Sequence, residues 1–151
     1  MRLVVQKVSR ASCTVEGQVT GSIATGYMVL VSICIGDDEK VVAKMAAKLS
    51  KLRIFEDEAG KMNLDIYAVG GEILSISQFT LYADCSKGNR PSFDKAMRGS
   101  ESVKLYDYFN SCLRELGLVV KTGIFGADMK IELLNDGPVT IIMDSKEMFK
   151  A

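Results

Sequence analysis

The sequence predicts a single mixed α/β domain, rich in β-structure, with two main helices. Three observations carry that prediction. Short runs that alternate polar and apolar residues, or are apolar throughout, recur between glycine-bearing turns and read as strands. Two longer segments carry apolar residues at spacings of three and four, the pattern of amphipathic helices. At 151 residues, 48% hydrophobic and 25% charged, the chain has the size and composition of one globular domain with a core of its own, spanning residues 1–151.

Taken in order, Leu3 to Val8 is a β-rich run. Cys13–Glu16 and Val19–Ile23, joined through Gly17-Gln18, read as a hairpin. After a turn at Thr25-Gly26, Tyr27 to Ile35 is a nearly unbroken apolar run suited to a central strand. Asp37-Asp38-Glu39 starts the first helix, its acids matching the positive N-terminal end. Val41, Val42, Met45, Ala46, Leu49 and Leu52 form its buried stripe. Lys40, Lys44, Lys48 and Lys51 share the outer face, either as a solvated surface or as an edge that contacts phosphate. Arg53–Phe55 reads as a short strand and 57–63 as a polar loop.

The stretch from Gly70 to Asp84 alternates Ile73, Ser75, Ser77 and Phe79 on one face with Leu74, Ile76, Gln78 and Thr80 on the other. This predicts a strand buried on both sides and running through Thr80. Ser77, Gln78 and Thr80 bring two hydroxyls and an amide to its end, where either the fold or a ligand must satisfy them. An irregular basic loop, 84–93, follows. Ser100 and Glu101 then cap a second helix with Val103, Tyr106, Phe109, Leu113 and Leu116 on its apolar face and Gly117 at a left-handed C-terminal position. Leu118–Lys121, Lys130–Leu134 and Val139–Met143 are strand-like. The last two flank Asn135-Asp136-Gly137-Pro138, a turn by its chemistry. It reads as a plain hairpin turn, or as a cis Gly-Pro turn whose carbonyl oxygens accept hydrogen bonds from an ammonium group.

Lys and Arg together number 19, as do Asp and Glu, so formal net charge is zero and no general basic field exists to hold nucleic acid. Cys13, Cys34, Cys85 and Cys112 are far apart, with no Cys-x-x-Cys pair and no histidine to complete a zinc site. They read as reduced, mostly buried thiols of a cytoplasmic protein without metal or cofactor. The opening residues lack the apolar run of a signal peptide, and no stretch has the length of a membrane span. Without histidine, Ser-His-Asp and Cys-His catalysis are excluded. An enzyme built from this chain works with hydroxyls, amides, backbone groups, carboxylates, lysines or its substrate's own groups.

Ser77-Gln78-Phe79-Thr80 and Asn135-Asp136-Gly137-Pro138-Val139-Thr140, in that order, resemble the two signatures of the D-aminoacyl-tRNA deacylases. Met1–Gln6, Leu52–Phe55, Gly60–Asn63, Lys87–Phe93 and Thr122–Met129 are similar to the family as well, so the resemblance covers essentially the whole chain. It implies barrel-like mixed sheets and a homodimer with the active site at the subunit interface. It further implies hydrolysis of the ester of D-aminoacyl-tRNA, and of mischarged glycyl-tRNA. Ser77, Gln78, Phe79 and Thr80 would line the reaction end. Gly137 and Pro138, as a cis pair from the partner subunit, would hold the substrate ammonium and turn away L side chains. Met129 would form the pocket wall, with Asn135 and Lys7 in support. Lys7 stands where the family usually has an arginine that steadies the Gly-Pro turn; it keeps the charge without the planar fork. Lys87, Arg90, Lys44 and Lys48 are candidate tRNA contacts. Thr80 is expected to position groups, with a covalent nucleophile as the rival role. The alternatives from other classes are a nucleic-acid-binding module and a small-molecule-binding dimer without catalysis.

Overall fold

A strand of 14 residues, β1 (Arg2–Val15), organises the molecule, a computed structural model of which describes residues 1–150. On one edge the first half of β1 pairs antiparallel with β3 (Gly26–Ser32) and its second half with β2 (Gln18–Ile23). The other edge carries β8 (Lys130–Asp144), antiparallel along almost the whole length. Beyond β3 the sheet continues in parallel through β6 (Glu72–Ser77) to β7 (Val120–Thr122). A small ribbon, β4 (Phe55–Glu56) and β5 (Met62–Leu64), stands apart.

The sheet curls until β2 nears β7, which requires Gly21: a Cβ there would lie 2.8 Å from the Thr122 carbonyl oxygen. Side chains therefore divide between two cores. Leu3, Val5, Tyr27, Val29, Val31 and Ile73 face α1 (Glu39–Ser50) and α2 (Gly99–Glu115). Val8, Ala11, Cys13, Ile23, Met28, Leu74 and Ile76 fill the inside of the curl. On β3 and β6 this is the alternation of strand side chains. On β1 the inward set steps from Val8 to Ala11, three residues, because the pairing with β8 shifts between Val8 and Arg10.

α1 follows its sequence closely. Asp38 is the N-cap, accepting from the Val41 N–H at 2.9 Å, and Val42, Met45, Ala46 and Leu49 are buried. Burying each leucine-sized side chain contributes about 1.5–3 kcal/mol. The lysine stripe Lys40, Lys44, Lys48 and Lys51 is exposed.

Several expectations need correction. The runs expected as a strand ending at Val8 and one arm of a hairpin are one strand, because β8 keeps β1 paired across the gap. β3 stops at Ser32. Arg98 rather than Ser100 stands at the N-cap of α2 and makes no side-chain cap bond. Leu116 is exposed, while Ser102, Leu105 and Asn110 are buried on the helix's inner face. Cys13 and Cys34 are buried free thiols, but Cys112 is only half-buried and Cys85 is exposed. Among the described residues no helix is long and apolar enough to cross a membrane, and α3 (Ser145–Met148) adds a final short turn.

Candidate functional site

β6 ends at Ser77, earlier than the alternation predicted. Gln78 leaves the strand with φ −146° and ψ 81°, and Phe79–Tyr82 form a 3-10 turn. The Gln78 N–H still bonds the Val31 carbonyl of β3 at 2.8 Å, so the turn is anchored where the ladder stops. The Gln78 side-chain amide meets the Thr80 hydroxyl oxygen at 2.5 Å. The first N–H groups of a helical turn have no acceptor within it, and among the described residues those of Phe79 and Thr80 meet no other protein acceptor.

Phe79 is 43% exposed, unusual for a phenyl ring beside a core strand. The Arg98 guanidinium lies 4.5 Å from its centroid, and Phe93 packs edge-on at 5.3 Å. Ser77, Gln78 and Phe79 form one wall of an open cavity of about 260 Å³. Its other walls are Ile76, Ile131 and the 125–129 loop, Met129 included. Met129 reaches inward because Gly123 lacks a side chain: a Cβ there would lie within 3.0 Å of the Cys13 sulfur and closer still to that of Met129.

The second signature is built differently from a hairpin turn, and that expectation is corrected. Residues 130–144 are one strand, and 136–139 are a bulge in it. Val8 pairs with Asn135 and Gln6 with Thr140, so Lys7 alone faces four residues. The Gly137-Pro138 peptide bond is cis, and both residues are exposed. Asn135 closes the base of the bulge, its Oδ1 accepting from the Val139 N–H at 3.0 Å and its Nδ2 donating to Thr140 Oγ1 at 2.9 Å. The Ser9 hydroxyl donates to Asp136 Oδ2 at 2.8 Å. Gly137 has φ +138°, and a Cβ on it would meet Val139 Cγ2 at 2.8 Å. Lys7 is buried with its ammonium 5.8 Å from the centroid of Phe55, and no hydrogen bond from it to the bulge is found. The side-chain hydrogen bonds to the bulge come from Asn135, expected there together with Lys7, and from Ser9.

Within one chain the structure therefore brings Met129 to Ser77, Gln78 and Phe79, but Gly137 and Pro138 do not line that cavity. Lys87 and Arg90 are exposed in the loop closed by the backbone bonds between Asp84 and Ser92, and Lys44 and Lys48 are exposed on α1. Sequence reasoning missed Phe125, Arg98 and Ser9. Phe125 lies within Thr122–Met129, a stretch similar to the family, but nothing local marked its side chain as facing a cavity. Arg98 and Ser9 gave no signal, since their partners lie at Phe79 and Asp136.

A family model described as D-Tyr-tRNA(Tyr) deacylase matches residues 4–144. Relatives named D-aminoacyl-tRNA deacylase include one from Lactobacillus delbrueckii subsp. bulgaricus, 55% identical over 95% of this chain and 99% of its own. Another, from Bacillus velezensis, is 54% identical over 97% of this chain and all of its own. Among solved structures, one titled c-Myc DNA Unwinding Element Binding Protein aligns with TM-score 0.89 and 41% identity over 95% of this chain and 98% of that one. A probable eukaryotic D-amino acid tRNA deacylase aligns with TM-score 0.81 at 16% identity over 94% and 97%, a likeness of fold. With a near-complete family match and relatives above half identity along the whole fold, the chain belongs to the D-Tyr-tRNA(Tyr) deacylase family.

Proposed function

We infer that this chain hydrolyses the ester linking a D-amino acid to tRNA, releasing both, and that glycyl-tRNA is a second substrate. One observation carries the reading beyond family membership: Ser77, Gln78 and Phe79 line a cavity, and among the described residues the N–H groups of Phe79 and Thr80 beside it meet no protein acceptor. An aminoacyl ester is already activated. Donors fixed where the carbonyl oxygen becomes negative, together with a held geometry, supply catalysis without a histidine. The terminal ribose hydroxyl of the tRNA helps to activate water.

Thr80 acts as a positioning group. Its oxygen is engaged by the Gln78 amide, which is not a base, and a threonine nucleophile needs one. Met129 is the pocket wall. The exposed tip of the bulge, residues 136–138, enters the cavity of a second copy, where the Gly137 and Pro138 carbonyls take the substrate ammonium. An L side chain then runs into the bulge, whereas glycine has none to exclude.

The surface available for that second copy is largely apolar, with Arg2, Asp144 and Glu147 also lining it. Ile142, 69% exposed, pairs with Val4 on the sheet face beside the bulge, and Leu81 and Met148 extend the strip. Lys87, Arg90, Lys44 and Lys48 serve as local tRNA contacts on a neutral protein. The test is ester loss from matched D- and L-aminoacyl-tRNA. Binding of nucleic acid without ester loss would replace this reading with that of a binding module, the property named for the 41%-identical structure.

A further inference from the structure

Beneath the site lies a polar cluster that the chemistry above leaves unused. Tyr106, Asn110 and Ser75 are all buried between α2 and β6, at 5%, 2% and 0% exposure. Tyr106 and Asn110 are one turn apart and share the inner face of α2. A helix packed on a sheet is stabilised by apolar side chains there, and buried polar groups without partners cost free energy. Yet Ser75 Oγ and Asn110 Oδ1 meet no hydrogen-bond partner among the described residues. Packing alone does not account for three polar residues at this place.

Their position does. The ladder between β6 and β7 ends at the pair Ser75–Thr122. There the Ser75 carbonyl accepts a 2.7 Å bond from the Tyr106 hydroxyl. Ser75 is two residues before Ser77, so this bond holds one side of the strand end while Gln78 N–H to Val31 O holds the other. The ring of Tyr106 also packs against Phe125, with centroids 5.8 Å apart and planes tilted by 56°. Phe125 lines the cavity opposite Ser77, Gln78 and Phe79. One buried side chain thus touches the supports of both walls. Burial raises the phenol pKa, so the hydroxyl stays a donor at neutral and mildly alkaline pH.

We propose that Tyr106 is a positioning residue of the deacylation site, fixing the Ser77–Thr80 turn relative to the 125–129 wall through its bond to the Ser75 carbonyl and its contact with Phe125. The assignment rests on the reading of that cavity as the reaction site. It goes beyond it by naming a residue outside both signatures on which turnover depends.

The test compares Tyr106→Phe, which removes only the hydroxyl, with wild type and with Val42→Ala, a core change in α1 away from the cavity. With D-aminoacyl-tRNA, Tyr106→Phe is expected to lower kcat about tenfold with KM within about twofold. Val42→Ala is expected to lower the melting temperature and leave kcat per folded molecule unchanged. In amide NMR spectra without substrate, Tyr106→Phe is expected to move the signals of Ser77–Thr80 and Phe125, and Val42→Ala to leave them in place. Unchanged signals there, or an unchanged kcat with only a lower melting temperature, would overturn the positioning role. Failure of the wild type itself to deacylate would overturn the proposed function, and the NMR arm would still decide whether Tyr106 sets the geometry of the cavity.

Discussion

At the scale of single residues, Thr80 separates two chemistries. As a nucleophile it would be indispensable. As an oxygen held 2.5 Å from the Gln78 amide, it orders the turn that follows the cavity-lining residues Ser77, Gln78 and Phe79. Thr80→Ala is therefore expected to retain measurable deacylation, within about tenfold of wild type, since a single neutral hydrogen bond contributes about 0.5–1.5 kcal/mol. Loss of activity by several orders of magnitude in a folded, substrate-binding variant would restore the nucleophile. The types of these residues were legible in the sequence, because hydroxyls and an amide at the end of a core strand demand partners. Their backbone was not. Alternation continued formally through Phe79 and Thr80, and only the loss of partner strands beyond Ser77 turns the chain aside.

Among the elements, the 136–139 bulge shows where local sequence stops being informative. Asn-Asp-Gly-Pro fits a hairpin turn and a bulge equally well by turn chemistry. The choice is made by β1, more than a hundred residues away in sequence, which pairs with β8 on both sides of the excursion. Asn135→Ala removes the bonds to the Val139 N–H and the Thr140 hydroxyl. It is expected to reduce stability by about 1–3 kcal/mol, read from urea unfolding. It should also slow deacylation of D-aminoacyl-tRNA in molecules that remain folded. Equal turnover with reduced stability would mean that the bulge has no part in the reaction.

The far end of β8 is tied by charge. Arg2 Nε donates to Asp144 Oδ2 at 2.9 Å. Burial raises the Asp144 pKa, but the Arg2 bond, the Lys146 N–H and the Arg2 charge outweigh it and hold the carboxyl below its usual value. A carboxyl whose pKa is depressed on folding adds stability above its unfolded pKa, about 4, and loses it as pH falls through the folded value. The difference in melting temperature between wild type and Asp144→Asn is accordingly expected to be widest near neutral pH and to close below about pH 4. A difference that stays constant across that range would contradict the ion pair's contribution.

For the molecule as a whole, periodicity was enough to give the fold class, because each strand and helix must bury one face and the sequence shows which. The curl of the sheet was not legible, since it depends on Gly21 meeting β7 across the barrel. Nor was the role of α2, whose inner face carries Tyr106 and Asn110 among its apolar residues. The cavity is open in one chain, and the bulge stands exposed elsewhere on it. In the proposed dimer the two meet across copies, with backbone carbonyls of the bulge receiving the substrate's ammonium and excluding one chirality. Its most direct test is the ratio of first-order ester-loss rates for D- and L-aminoacyl-tRNA charged with the same amino acid, each with and without N-acetylation. The predicted result is rapid loss of the free D-ester, negligible loss of the L-ester above the uncatalysed rate, and about tenfold or greater slowing of the D-ester once its ammonium is capped. Equal rates on the two free esters would contradict the account and leave a general esterase.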